Sequence, residues 1–338
     1  MTIHLTTRGS RRVLAGLGAT ALAATLAGCG LSEEDSVGNA AGGGGECGGL
    51  TATGDVIDPE GLTDVPVVVG SKDFDEQFVL GELTSQYLCL WGADNSTDLN
   101  TQGSTAAREK IIAGDNNIMW EYTGTGWINY LGNDEPIFDP VEQYEAVKEA
   151  DIANDVYWGP LSPFNNTYAF ATTAAFAEEN GLATHSDMAA YLEENPDASV
   201  CIEAEFANRP DGYPGFTKAY GITGGDEQSL GIGVIYPQIA NGNCDFGEIF
   251  TTDGRIAAND LTVLEDDKTF FPLYNGVPVT SVQYNEENPE VMEALAPLAE
   301  GLTTEIMQEL NTKISAEGVS EEIIAHDYLV EAGFATEE

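Results

Sequence analysis

The stretch V-P-V-V-V-G-S-K-D-F-D-E-Q-F-V-L, residues 65–80, decides the fold class. A short apolar run, Val65 to Gly70, is bounded by turn signals and predicts a buried strand. Asp73 or Asp75 is then placed to cap a helix with the apolar face Phe78, Val79, Leu83, Tyr87 and Leu90. Strand followed at once by helix is the unit of an α/β layer. The same alternation runs down the chain: helices over 105–113, 140–151, 185–194 and 227–241, with strands over 118–122, 156–162, 166–172, 199–206, 246–251, 261–265 and 277–284. The C-terminal third reads as helices over 288–299, 302–316 and 319–332. The expectation is α/β layering with a largely parallel sheet in each of two domains, and a ligand cleft between them at the strand ends.

Length and charge narrow the function. A chain of 338 residues is long enough for two cores. Its 12 Lys+Arg against 57 Asp+Glu exclude nucleic acid as a partner, because phosphate backbones need basic surfaces. The first residues carry an export signal: Arg8, Arg11 and Arg12, then an uncharged Ala/Leu/Gly run over 13–32 that contains Leu26-Ala27-Gly28-Cys29. Small residues before a cysteine predict a lipoprotein signal peptide over 1–28, with Cys29 as the site of lipid attachment. The run is also just long enough to span a bilayer, but its composition and its cysteine favour the lipid anchor. Ser10-Arg11-Arg12 keeps a twin-arginine route open beside the general one. Cleavage removes three arginines and no acid. The soluble body is therefore expected on the outer face of the cell membrane, behind a Gly-rich tether over 29–63 that includes Gly42 to Gly45.

Four cysteines then remain in an oxidising compartment, which allows three pairings. Cys201–Cys244 and Cys47–Cys89 are expected, because each pair stays within one domain of the layout below. No C-x-x-C spacing exists, so neither a zinc site nor a redox site is expected, and no cofactor is called for.

Catalytic signatures are missing. The chain has no H-E-x-x-H, G-x-S-x-G, Walker or EF-hand pattern, and Gly124-Thr-Gly126 lacks the third glycine of a dinucleotide fingerprint. What stands at strand ends and turns instead is aromatic: Tyr122 before Thr-Gly-Thr, Tyr168, Phe250 and Tyr274. Each alone reads as core packing. Several ring faces around a small volume make a site for a quaternary ammonium group, held by ring quadrupoles and desolvation at roughly 0.5–2 kcal/mol per contact. Two of the scarce cations, Lys72 and Arg209, also follow strands. One reading pairs each with an acid of this acidic chain; the functional reading joins them with the Thr125 hydroxyl in a carboxylate clamp. Rings for a trimethylammonium and donors for a carboxylate describe a betaine.

The stretches GSKDFDEQ (70–77), WEYTGTG (120–126), PFNNTYAF (163–170), EFANRPDG (205–212), FTTDGRI (250–256) and LEDDKTFFPLYNGVPV (264–279) carry a resemblance. Together, and in order, the chain resembles the glycine betaine/carnitine/choline binding proteins of osmoprotectant ABC importers. The resemblance implies a two-domain periplasmic-binding-protein fold of type II. It implies a ligand cage on Tyr122, Tyr168, Phe250 and Tyr274, and carboxylate contacts on Lys72, Thr125 and Arg209. Phe250 stands where the family usually has tyrosine. The resemblance further implies a monomeric binding protein, not an enzyme, that serves a membrane permease and its ATPase. Domain I would comprise 64–164 plus 270–338 and domain II 165–269, with hinge crossings near Asn165 and Phe270. A choline-specific protein, lacking use for the clamp, is the nearest alternative; an extracytoplasmic hydrolase and a surface interaction protein without a small ligand are more distant ones.

Overall fold

The computed structural model describes residues 47–53, 56–133 and 135–337. The signal peptide, Cys29 and the first part of the expected tether lie outside them. The described part of that tether is corrected. Leu50–Ala52 forms strand β1, paired antiparallel with the last strand of the chain, and Leu50, Ile57 and Leu62 are buried. The cause is covalent and apolar at once: Cys47 is bonded to Cys89, and the leucines have a core to enter. The second disulfide joins Cys201 to Cys244.

Strand β2 spans Pro66–Lys72 and runs into helix α1, Asp75–Leu90. Neither Asp73 nor Asp75 caps that helix. Phe74 holds the extended N-cap position with no side-chain bond, and Asp75 and Glu76 lie in the first turn, where the helix dipole favours acids. The apolar face is wider than its expected stripe but leaves out Phe78, which is only half-buried. Val79, Leu80, Leu83, Tyr87 and Leu88 are all fully buried, since α1 packs on β2 and on the helices Thr304–Ser315 and Glu321–Glu331.

The remaining strands are β3 (Asp94–Thr101), β4 (Met119–Tyr122), β5 (Val156–Trp158), β6 (Tyr168–Thr173), β7 (Ser199–Ile202), β8 (Asp226–Ser229), β9 (Phe246–Phe250), β10 (Leu261–Val263), β11 (Gly276–Ser281) and β12 (Ala335–Glu337). Among the described residues they fall into two principal groups. In one, β2 and β3 run parallel, a parallel bridge between Val69 and Ile118 leads to β4, and β11 lies antiparallel between β4 and β5. In the other, the order is β10-β6-β9-β7-β8, drawn wholly from residues 168–263. Parallel pairs occur at β7–β8 and β7–β9, and antiparallel pairs at β6–β9 and β6–β10. The expectation of largely parallel sheets is therefore corrected. Both sheets are mixed, because β6 and β11, which follow the long connecting segments, run against their neighbours.

Two further elements depart from the periodicity. The segment expected as a helix over 227–241 begins as β8, and its helix starts only at Ile232, beyond Gly231. Strand β3, with the sequence DNSTDLNT, gives no apolar signal at all; pairing with β2 makes it a strand.

Candidate functional site

All seven residues singled out from the sequence line one cavity: Lys72, Tyr122, Thr125, Tyr168, Arg209, Phe250 and Tyr274. The cavity is small and partly open to solvent, and most of the side chains that line it are largely buried.

Strand geometry delivers the rings. Tyr122 is the last residue of β4 and Phe250 the last of β9; Tyr168, the first of β6, stands opposite Phe250 in the ladder. Tyr274 lies just before β11, whose Gly276 pairs with Tyr122. Tyr168 meets Phe250 at 5.3 Å between centroids and Tyr274 at 5.2 Å, edge to face. A fifth ring, Phe74, closes the arc at 5.3 Å from Phe250 and 6.3 Å from Tyr122. Sequence reasoning passed over Phe74 because a ring between a strand and a helix start looks like a staple; its signal was its place inside GSKDFDEQ.

The Thr-Gly-Thr segment is not a free turn. The chain goes from β4 straight into a π-helical turn, Thr125–Tyr130. Gly124 permits this, since a Cβ there would come within 2.7 Å of the Tyr274 ring. Trp120 and Trp127 stay out of the cavity: buried Trp120 donates from Nε1 to Thr84 at 2.8 Å, and Trp127 donates to the Glu135 carbonyl.

Behind Tyr122 lies a buried carboxylate that the sequence did not reveal. Glu76 accepts four hydrogen bonds, from Tyr122 Oη (2.7 Å) and Asn166 Nδ2 (2.8 Å) on Oε1, and from Thr252 Oγ1 (2.6 Å) and Asn311 Nδ2 (2.7 Å) on Oε2. Burial pushes its pKa up, against the pull of these four donors. The hub fixes the Tyr122 ring and joins α1 to the segments at 166, 252 and 311.

The two cations are both at the cavity and both already paired. Lys72 Nζ donates to Glu121 Oε1 at 2.5 Å and sits 5.1 Å from the Tyr122 ring centre. Arg209 is held in a fork by Asp211 (Nε–Oδ1 2.8 Å, Nη2–Oδ2 2.6 Å), donates to Glu205 at 3.0 Å and to Thr125 Oγ1 at 3.1 Å, and lies 5.5 Å from the Tyr168 ring centre. Tyr274 Oη donates to the same Asp211 carboxylate at 2.8 Å. Thr125 accepts from Arg209, so its own hydroxyl proton is left for another acceptor. Asp73, Ser104, Asn166, Glu203 and Glu205 complete the lining. Burial alone would raise Glu205, but Lys72, Arg209 and the hydrogen bonds from Ser104 hold it down at about 2. Burial, with Glu205 and Asp73 nearby, pushes Glu203 up to about 7. The acids beside the cavity had been hidden among the 57 of the chain.

No nucleophile–base pair lines the cavity, and no group of His, Cys, Asp or Glu fit to hold a metal occurs among the described residues. Among those residues no helix is long and apolar enough to cross a membrane. The arrangement can surround a small cation with ring faces and offer it polar contacts beside them.

Comparison with known proteins agrees with this geometry. Residues 65–331 match the model of the OpuAC family, described as the substrate binding domain of ABC-type glycine betaine transport systems. The chain is 35% identical over 293 residues to a glycine-betaine-binding protein of Pseudomonas aeruginosa, covering 84% of this chain and 92% of that one. It is 31% identical over 280 residues to the glycine betaine-binding protein YehZ of Escherichia coli, covering 80% and 91%. A crystal structure titled as a glycine betaine/carnitine/choline ABC transporter superposes with a TM-score of 0.65 at 28% identity, over 80% of this chain and 99% of that one. The architecture is the α/β periplasmic-binding-protein fold of type II, shared with apo YehZ at a TM-score of 0.59 and 31% identity. The chain is a non-enzymatic binding protein, and it belongs to the OpuAC family of substrate-binding components of ABC-type quaternary amine importers.

Proposed function

We propose that the cavity binds a small quaternary ammonium solute, glycine betaine first among them, and that the loaded chain delivers it to an ABC permease driven by its ATPase. The observation that carries this reading is the arc of five rings, Tyr122, Phe74, Phe250, Tyr168 and Tyr274, around a cavity that Thr125 and Arg209 also line. A methylated ammonium has no N–H to donate, so ring quadrupoles and desolvation are what can hold it. Phe250 supplies a face without a hydroxyl, which suffices for that purpose.

The clamp works in a narrower form than two bare cations. Lys72 is paired with one acid and Arg209 with two, so the positive field of both at the cavity is cancelled. The ligand's carboxylate then meets the Thr125 hydroxyl and the edge of Arg209, with Lys72 as a more distant charge. Residues 64–164 with 270–338 form one domain, to which the stretch from Cys47 is joined by its disulfide and by β1, and 165–269 form the other. The antiparallel bridge between Asn165 and Asn275 supports putting the two crossings side by side. Rings from both halves share the cavity, so ligand favours the closed state. The protein works as a monomer on the outer face of the membrane, held through Cys29.

Calorimetry of the soluble body with glycine betaine, and then with choline, tests this. Binding of glycine betaine that weakens by about 1–3 kcal/mol in Tyr168→Ala supports the cage. Silence with both ligands, on folded protein freed of carried-over solute, removes the proposal. Choline binding alone keeps the cage and discards the carboxylate contacts.

A further inference from the structure

One lining carboxyl differs from all the others, and its use rests on the quaternary-ammonium reading of the cavity. Glu203 directly follows β7 and lines the same cavity as the rings and Arg209. Its neighbours are all engaged. Glu121 takes Lys72 and Tyr130, Asp211 takes Arg209 and Tyr274, and Glu205 takes Arg209 and the Ser104 amide. Asp73 accepts from the Gly103 amide, and Glu248, which does not line the cavity, accepts on Oε2 from the backbone amide of Glu203 while its Oε1 is buried without a partner. Among the described residues no protein donor reaches the Glu203 carboxyl; only burial and charges act on it. Glu203 is half-buried and is not among the fully buried atoms left without a partner, so its carboxyl is open to solvent and to whatever enters the cavity it lines.

We propose that Glu203 is the residue that sets the charge class of amine the cavity holds. Ionised, it accepts a hydrogen bond from the hydroxyl of a purely cationic amine and repels a ligand carboxylate. Protonated, it donates a hydrogen bond to the carboxylate of a zwitterion. Its surroundings suit the switch. Glu205 and Asp73 disfavour its ionisation, Arg209 and Lys72 favour it, and Glu248 and the phenols of Tyr122, Tyr168 and Tyr274 lie in or beside the same cavity. Burial leads the balance, which falls at about 7. The sign follows. Zwitterion binding retains the proton and weakens as pH rises through that value, while binding of the cation strengthens. Linkage of one proton changes each affinity by at most about tenfold per pH unit.

The experiment is calorimetry on the full chain with glycine betaine and with choline at pH 5.5, 7 and 8.5, in two buffers of different ionisation enthalpy. The ratio of the betaine Kd to the choline Kd is expected to rise about tenfold or more across this range, with proton uptake on betaine binding near neutral pH. In Glu203→Gln, which keeps the shape without the charge, the ratio stays near its low-pH value throughout. A flat ratio in the parent protein, or a slope that survives in Glu203→Gln, overturns the role of Glu203 and leaves the cage standing. Failure of both ligands to bind at every pH overturns the cage and this inference together. The parent protein alone decides the first point, so the result does not depend on the variant folding.

Discussion

Glu76→Gln is the sharpest test of how the cage is held. Four donors converge on this carboxylate at 2.6–2.8 Å, and an ionised carboxylate is an acceptor only. A glutamine keeps one acceptor oxygen, and turns an NH2 toward the other pair of donors. The Tyr122 and Thr252 hydroxyls can rotate to accept. Asn166 and Asn311 can do so only by turning their amides over, and Asn311 would then lose its second bond, to the Thr252 carbonyl. Either way a buried N–H is left without a partner, at about 1–3 kcal/mol, and the surviving bonds lose their charge assistance, at about 1 kcal/mol. Relief of the buried charge offsets part of this, because burial already disfavours the ionised form of Glu76. The expected net cost is about 2–4 kcal/mol. A chain of this size loses roughly 2 °C per kcal/mol, so thermal unfolding followed by circular dichroism should shift down by about 4–8 °C. A melting temperature equal to the parent's within about 1 °C, or above it, would falsify the view of Glu76 as a charged hub and make the neutral acid its working form.

Other outcomes follow from single residues. Phe74→Ala removes the ring that bridges Tyr122 and Phe250; glycine betaine affinity should fall by about 0.5–2 kcal/mol in calorimetry, and an unchanged Kd would take Phe74 out of the cage. Glu82 is raised to about 7 by burial and by Glu322 and Glu321 across the helix interface. A carboxyl with a raised folded pKa contributes fully below its unfolded value near 4.5 and loses that contribution as pH rises through about 7. Glu82→Gln should therefore raise the melting temperature at pH 8, by the equivalent of about 1–3 kcal/mol, and leave it nearly unchanged at pH 5; equal effects at both values would remove Glu82 from the pH dependence.

The sequence alone determined the strand-to-helix rhythm, because Val67 to Val69 and the apolar face of α1 need only local periodicity to declare themselves. It also determined which residues belong together at the cavity. Aromatics at strand ends and scarce cations stand out against an acidic background, and the order of the motifs carries the family. The cysteine pairs were legible for a similar reason, since each bond closes within a short stretch of chain. Other features had no local signature. Polar β3 is a strand because β2 supplies its hydrogen-bond partners, and β1 is ordered because β12, nearly 300 residues away, offers it an edge. Only the tertiary structure decided the electrostatics. In a chain with 57 acids no spacing marks the few that matter. Packing placed Glu121 against Lys72, Asp211 and Glu205 against Arg209, and set half-buried Glu203 in the cavity lining with no protein donor on its carboxyl. Charge acts through distance and burial, and both are properties of the folded chain.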